Sequence, residues 1–279
     1  MKVLKYIIYG LFIIGISIFG YMKITNKNTS ELALGIFSWI KKVKGEKVQL
    51  EKMVPSKLKS LDHYEWSGLL SKHVSLDGKV DYRGMSKSKS QLNRYLDYLS
   101  QNPPASDWTK NEQKVYWINA YNAFTVKLII DNYPLESIKD ISDGLPMINS
   151  PWDIKFFKIG GVDFDLNTIE HEILRKQFDE PRIHFAINCA SVSCPKLRHE
   201  AYLTKYLEFQ LEDQAKAFIN DRSKNRISAS EMELSGIFNW FEGDFTKDGP
   251  LTSFIQKYKS DVNSNNKISY LEYDWGLNK

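Results

Sequence analysis

The longest unbroken apolar run opens the chain. Tyr6 to Met22 (YIIYGLFIIGISIFGYM) is interrupted only by Ser17, follows Lys2 and Lys5, and is closed by Lys23. Its length falls between a signal-peptide core and a short membrane-spanning helix. Neither a small-x-small cleavage site nor a lipid-accepting Cys follows it, so an uncleaved signal anchor is expected. A first hydrophobic segment with a short basic leader favours export of what comes after. Lys23, Lys27, Lys41, Lys42 and Lys44 pull toward the opposite orientation. Leu32 to Ile40 (LALGIFSWI) is too short to span and is expected to lie along the interface, with Trp39 at headgroup level. The expected organisation is an anchor over 1–23, a linker over 24–60 and a globular domain over 61–279.

Beyond residue 60 the pattern changes to alternating helical and strand periods. Trp66, Leu69, Leu70 and His73 sit at helical spacing within 63–74; Asp77-Gly78 signals a turn before a short strand at Val80-Asp81-Tyr82. Leu92 to Leu99 forms a second amphipathic helix, ended by Asn102-Pro103-Pro104. Thr109 and Glu112 form a capping box for a strongly apolar helix that stops before Pro134. Gly160-Gly161 divides a hairpin of 154–159 and 162–166, and Asn167 with Glu170 gives a second capping-box-like start for a helix to about Phe178. The run RIHFAINC, 182–189, reads as a buried strand. Thr204 opens a helix with Leu207, Leu211, Ala215, Phe218 and Ile219 on one face. Helical stretches follow over 235–245 and 251–258, and 268–275 alternates like a closing strand. The expected fold is α/β in the α+β sense, a mixed sheet packed by several helices.

Composition narrows the function classes. Aromatic residues make up 13% of the chain, which argues for a filled core or a stacking surface over disorder. The net charge of +4 is spread along the chain, and the lysine clusters are not interleaved with aromatics, so no nucleic-acid partner is expected. A phosphate-binding glycine loop and a dinucleotide fingerprint are both missing, and no cofactor is expected.

The two cysteines, Cys189 and Cys194, share one loop (NCASVSCP). Three chemistries compete for it. In an exported domain the pair would form a disulfide. As a nucleophile, one thiolate would use a neighbouring His as base. In the predicted strand His184 shares a face with Ala186 and Asn188, as the one titratable group of an apolar run, and His171 in IEHEILR is a second candidate base. The third chemistry is metal binding. His184, Cys189, Cys194 and His199 recur every five residues, a looser spacing than zinc loops use, and no metal site is assigned. On the helix after Thr109, Glu112, Asn119 and Asn122 lie near one face. The cap accounts for Glu112; the two Asn residues need partners if buried, either a neighbouring loop or a substrate carbonyl.

Six segments together resemble the domain of unknown function 547 family. They are EWSGLLSKHVSLDGKVDYRGM from Glu65, NEQKVYWINAYNAF from Asn111, DLNTIEHEILR from Asp165, RIHFAINCASVSCPKLR from Arg182, LSGIFNWFEGDF from Leu234 and YLEYDWGLN from Tyr270. They run in order over nearly all of the chain past residue 60. The resemblance implies that Asn119, Asn122, His171, His184, Cys189 and Cys194 belong to the family's signature segments, and it supplies no reaction. It also raises a relation to cysteine-peptidase-like folds of the papain or transglutaminase kind. Those put the Cys at a helix start, whereas here it follows a predicted strand.

Two functions follow as expectations. The first is a membrane-tethered, thiol-dependent hydrolase or acyl transferase acting on peptide-like or amide substrates outside the cytoplasm. Cys189 is its nucleophile, His184 its base and Asn119 the orienting group, with Cys194, His171, Asn122 and Glu112 as alternates. The second is a non-catalytic binding or scaffold module of the cell envelope with a structural disulfide. Its contacts with an envelope polymer or partner would come from Trp152, Trp240, Tyr270, Tyr273 and Trp275.

Overall fold

The structure is a computed structural model, and it describes residues 50–142, 150–228, 230–263 and 265–279. The apolar run Tyr6–Met22, the stretch Leu32–Ile40 and the lysines up to Lys44 lie outside the described residues. Among the described residues no helix is long and apolar enough to cross a membrane.

Helices α1 (Tyr64–His73), α2 (Tyr82–Lys87), α3 (Lys89–Gln101) and α4 (Lys110–Asn132) form the first half. The four residues read at helical spacing in α1, Trp66, Leu69, Leu70 and His73, are all buried. Trp66 stacks on Tyr95 of α3 with ring centroids 5.8 Å apart. The Thr109–Glu112 capping box closes the start of α4 reciprocally, satisfying backbone donors that a helix end leaves free. From Val115 to Val126 every residue of α4 is buried, so this helix is the axis around which the others pack. The predicted strand at Val80–Tyr82 is not one. Val80 makes a single bridge to Val74, and Tyr82 already begins α2, because Asp81 Oδ1 accepts from the Gly84 N–H as an N-cap.

The hairpin β1 (Phe157–Ile159) and β2 (Val162–Phe164) is antiparallel, with Phe157 opposite Phe164. Residues before position 60 pack here: the Val54 N–H donates to Gly160 O in the hairpin turn at 3.1 Å, and the Ser56 N–H to Pro103 O, past the end of α3, at 3.0 Å. The following helix begins differently from the capping-box reading. Asn167 is itself helical, and the N-terminal acceptor is Asp165 Oδ1, 2.7 Å from Thr168 N. Thr168–Leu174 is a π-helix, in which Arg175 N–H reaches back five residues to Glu170 O, and α5 (Arg175–Gln177) continues it.

The predicted strand 182–189 is instead a short helix, α6 (Ile183–Ala186), followed by extended backbone from Ile187. Glu180 and Pro181 start it: the Ile183 and His184 N–H groups donate to Glu180 O and Pro181 O, and among the described residues no strand pairs with it. A short apolar run carries no period that separates a buried strand from a buried helix. One consequence is that His184, Ala186 and Asn188 do not share a face.

After the 3-10 turn Thr204–Tyr206, α7 (Leu207–Asn220) buries Leu207, Leu211, Ala215, Phe218 and Ile219, the face read from sequence. A three-stranded sheet follows in the order β3 (Arg226–Ile227), β4 (Glu231–Leu234), β5 (Lys267–Tyr270), with β3–β4 antiparallel and β4–β5 parallel. Helices α8 (Gly236–Trp240), α9 (Glu242–Phe245) and α10 (Leu251–Gln256) lie between β4 and β5. Phe185, Phe218, Phe238, Phe245 and Phe254 form the core beneath them. The α+β reading therefore holds, with helices dominant and the sheets small.

The closing strand ends at Tyr270, and the chain beyond it does something more useful for the site. Residues 274–278 run extended between two loops: Leu277 N–H donates to Glu136 O on one side, while Val192 N–H donates to Gly276 O and Asn278 N–H to Ala190 O on the other. The cysteine loop is thus held by the C-terminus.

Candidate functional site

Cys189 and Cys194 are bonded to each other, with Cα atoms 6.2 Å apart. Their loop is fixed largely by one buried side chain. Asn188 Nδ2 donates to Pro195 O at 2.7 Å, and its Oδ1 accepts from the Ala190 N–H at 2.9 Å. Ala190 sits at φ 63°, a left-handed backbone that costs a non-glycine residue energy and persists only when the surroundings impose it. Tyr273 closes the loop from above: its hydroxyl is 3.3 Å from each sulfur and accepts from Ser191 Oγ at 3.2 Å. Burial raises the Tyr273 phenol above its ordinary range, so it stays protonated and can donate.

Tyr273 is also one ring of an aromatic cluster. Trp275 lies 4.5 Å from it and stacks on Trp240 at 5.7 Å and 19°, and Trp152 meets Trp275 edge-on at 5.6 Å. The Lys139 ammonium covers Trp275 at 3.8 Å from the ring centroid, and burial there lowers its amine below the usual range. Trp240 is 39% exposed, as is Tyr270. The cluster depends on Gly236, where a Cβ would stand 3.1 Å from the Trp240 ring. Four of the five aromatics named as contacts from sequence therefore converge, directly over the disulfide loop.

The histidines belong to a separate polar group. His184 Nε2 is 2.8 Å from Asp244 Oδ2, and Arg175 Nε donates to the same oxygen at 2.6 Å. Arg175 Nη1 approaches His171 Nδ1 at 3.1 Å, and Phe241 is stacked on His184 at 4.0 Å with the Arg175 guanidinium 4.8 Å from its centroid. Burial pushes His184 below the ordinary imidazole range, and Asp244 only partly offsets this. The neutral ring then donates from Nε2, which leaves Nδ1 as a buried acceptor without a partner. For Asp244, burial works to raise the carboxyl, but hydrogen bonds from His184 and Arg175 and the charge of Arg175 outweigh it and hold the group well below the carboxylate range.

Asn119 and Asn122 are buried and bonded to backbone. Asn119 donates to Tyr202 O and accepts from Tyr202 N–H; Asn122 donates to Ala186 O and accepts from Asn188 N–H. Glu112 serves the helix cap. The structure thus brings Asn122 to the cysteine loop through Asn188, and His171 to His184 through Arg175 and Asp244. Among the described residues no cluster of three or more His, Cys, Asp or Glu could hold a metal ion.

The family described as protein of unknown function, DUF547, matches residues 105–219. The chain carries a DUF547 region. No curated protein and no solved structure matches the chain. The DUF547 region contains α4, the π-helix and the cysteine loop, but Tyr273, Trp240, Trp275 and Asp244 lie beyond it. Sequence reasoning missed Asp244, Arg175, Ser191 and the role of Tyr273 against the sulfurs. Only Arg175 left a usable signal, standing four residues after His171 at helical spacing.

Proposed function

We propose that this chain is a membrane-tethered, extracytoplasmic binding module, and that the cluster of Trp152, Trp240, Tyr273 and Trp275 receives a cell-envelope polymer. The observation that carries this reading is the convergence of rings from residues 152, 240, 273 and 275 into one partly exposed surface braced by the disulfide loop. Aromatic faces with a nearby cation and polar backbone suit a glycan, whose C–H faces stack while its hydroxyls hydrogen-bond. The tether rests on the Tyr6–Met22 run and its flanking lysines. A thiol-dependent hydrolase or acyl transferase on a cysteine-peptidase-like fold would need a free Cys189 with His184 and Asn119 turned toward it. With both sulfurs in one bond, His184 on Asp244 and Asn119 on Tyr202, the binding reading is the better supported.

Co-sedimentation of the full chain with insoluble cell-wall glycan tests it. Wild type is retained, and Trp240→Ala binds up to about tenfold more weakly, the loss of one aromatic contact. Equal retention of the two proteins, or no retention of wild type, counts against the reading; a protein partner captured on the same surface would redirect it.

A further inference from the structure

We propose that the Cys189–Cys194 bond is a thiol–disulfide exchange site that oxidises a dithiol presented at the aromatic cluster, an activity that goes beyond the binding reading. The two sulfurs are not equivalent. Cys194 is 4% exposed, whereas Cys189 is half-buried and is the sulfur an incoming thiolate can approach. Cys194 Sγ accepts from the Cys189 N–H at 2.9 Å, and the Tyr273 hydroxyl, 3.3 Å from either sulfur, can turn its proton to Cys194 as that sulfur leaves. Two donors aimed at one buried sulfur stabilise negative charge there, which is what a leaving thiolate carries.

The bond is also weakly placed for a purely structural role. It joins residues five apart in a single loop and links no separate elements. The same loop is already closed by Asn188 on Pro195 O and by the Cys194 N–H on Ser191 O at 3.1 Å, so its backbone keeps its course when the sulfurs part. The chain holds no third Cys that could re-pair with either.

The first thiol of the dithiol, as thiolate, attacks Cys189 Sγ; a mixed disulfide forms, the Cys189–Cys194 bond breaks, and its electron pair leaves on Cys194 Sγ. The second thiol, having lost its proton, attacks the substrate sulfur of the mixed disulfide and expels Cys189 as thiolate. The dithiol's two protons end on Cys189 and Cys194. The substrate leaves as a disulfide, two electrons poorer, and the loop is left as a dithiol.

The oxidised full chain is treated without denaturant with glutathione as a monothiol and with dithiothreitol as a dithiol, then quenched by alkylation and mapped by peptide mass. Glutathione is expected on Cys189. Dithiothreitol is expected to release both thiols with the far-ultraviolet circular dichroism of the folded domain unchanged, about tenfold faster or more than it reduces oxidised glutathione. Tyr273→Phe, which removes one donor from the leaving sulfur, slows this by about fivefold. A bond that opens only when the domain unfolds, an adduct on Cys194, or an unchanged rate in a folded Tyr273→Phe would overturn the proposal. The adduct position needs no variant and decides the matter should Tyr273→Phe fail to fold.

Discussion

Truncating Asn122 removes the side chain that ties α4 to the cysteine loop. Asn122 is 2% exposed; it donates to Ala186 O at 2.9 Å and accepts from the Asn188 N–H at 2.8 Å. Asn122→Ala therefore leaves one buried carbonyl and one buried N–H without partners. Each such group costs about 1–3 kcal/mol, so the variant should lose about 2–6 kcal/mol. Against an ordinary domain stability of about 5–15 kcal/mol this is a large fraction, enough to unfold a domain at the low end of that range. With a urea slope of about 2–3 kcal/mol/M, the unfolding midpoint should fall by about 0.7–3 M. Asn132→Ala at the exposed end of the same helix is the control. There the carboxamide bonds only to Leu128 O of its own helix, and the change should stay within about 0.5 kcal/mol. Asn122→Asp keeps the shape and the acceptor but sets a carboxylate oxygen against Ala186 O, and should lose at least as much as one unmade bond. If Asn122→Ala unfolds at the same urea concentration as Asn132→Ala, the loop is anchored by something other than this side chain.

Two further outcomes follow from buried groups elsewhere. His63, 2.7 Å from the Tyr95 hydroxyl, is lowered by burial from 6.5 to about 4. The unfolded chain therefore binds its proton first as pH falls, and this contribution to stability is complete above about pH 7 and lost between 6.5 and 4, by about 3 kcal/mol at the lower end. His184 acts in the same direction, whereas the depressed Asp244 carboxyl loses its contribution only at still lower pH; urea titrations at pH 8 and pH 4.5 should show the drop, and His63→Gln should make it smaller without abolishing it. Gly78 sits at φ +86° with Lys196 Cα 2.8 Å from where a Cβ would stand. Gly78→Ala should cost more than about 2 kcal/mol by thermal or urea unfolding, from backbone strain and overlap together, and a neutral result would mean the 75–80 turn can reshape freely.

Much of the helical framework was legible because its signals are local. The faces of α1 and α7 and the cap of α4 depend on spacing within one segment, and each formed as read. The hairpin at Gly160-Gly161 was equally local. The failures came where a cap a residue or two away, or the lack of a pairing strand, overrode the apolar pattern. RIHFAINC would be a strand only with a neighbouring strand to receive its backbone bonds, and Glu180-Pro181 turned it into a helix. Val80–Tyr82 lost its strand to the cap made by Asp81. At Asn167 the acceptor proved to be Asp165, two positions earlier, because the chain had already entered the helix.

The site shows the same division between composition and geometry. Cys, His and Asn in adjoining apolar segments suggested one constellation, yet burial distributes them among three different jobs. Asn119 and Asn122 satisfy backbone that would otherwise be orphaned, which a helix interior must do wherever it packs against irregular chain. His184 is drawn to Asp244 across 60 residues because a neutral, desolvated imidazole still needs an acceptor for its Nε2–H. What remains at the sulfurs is not a histidine but Tyr273, from the last seven residues of the chain, whose raised phenol can donate but not remove a proton at neutral pH. A buried donor stabilises a thiolate as it departs but cannot take the proton from a thiol that is to attack. That asymmetry is why exchange at the bond, and not base-assisted attack by a free thiol, is the chemistry these neighbours can assist.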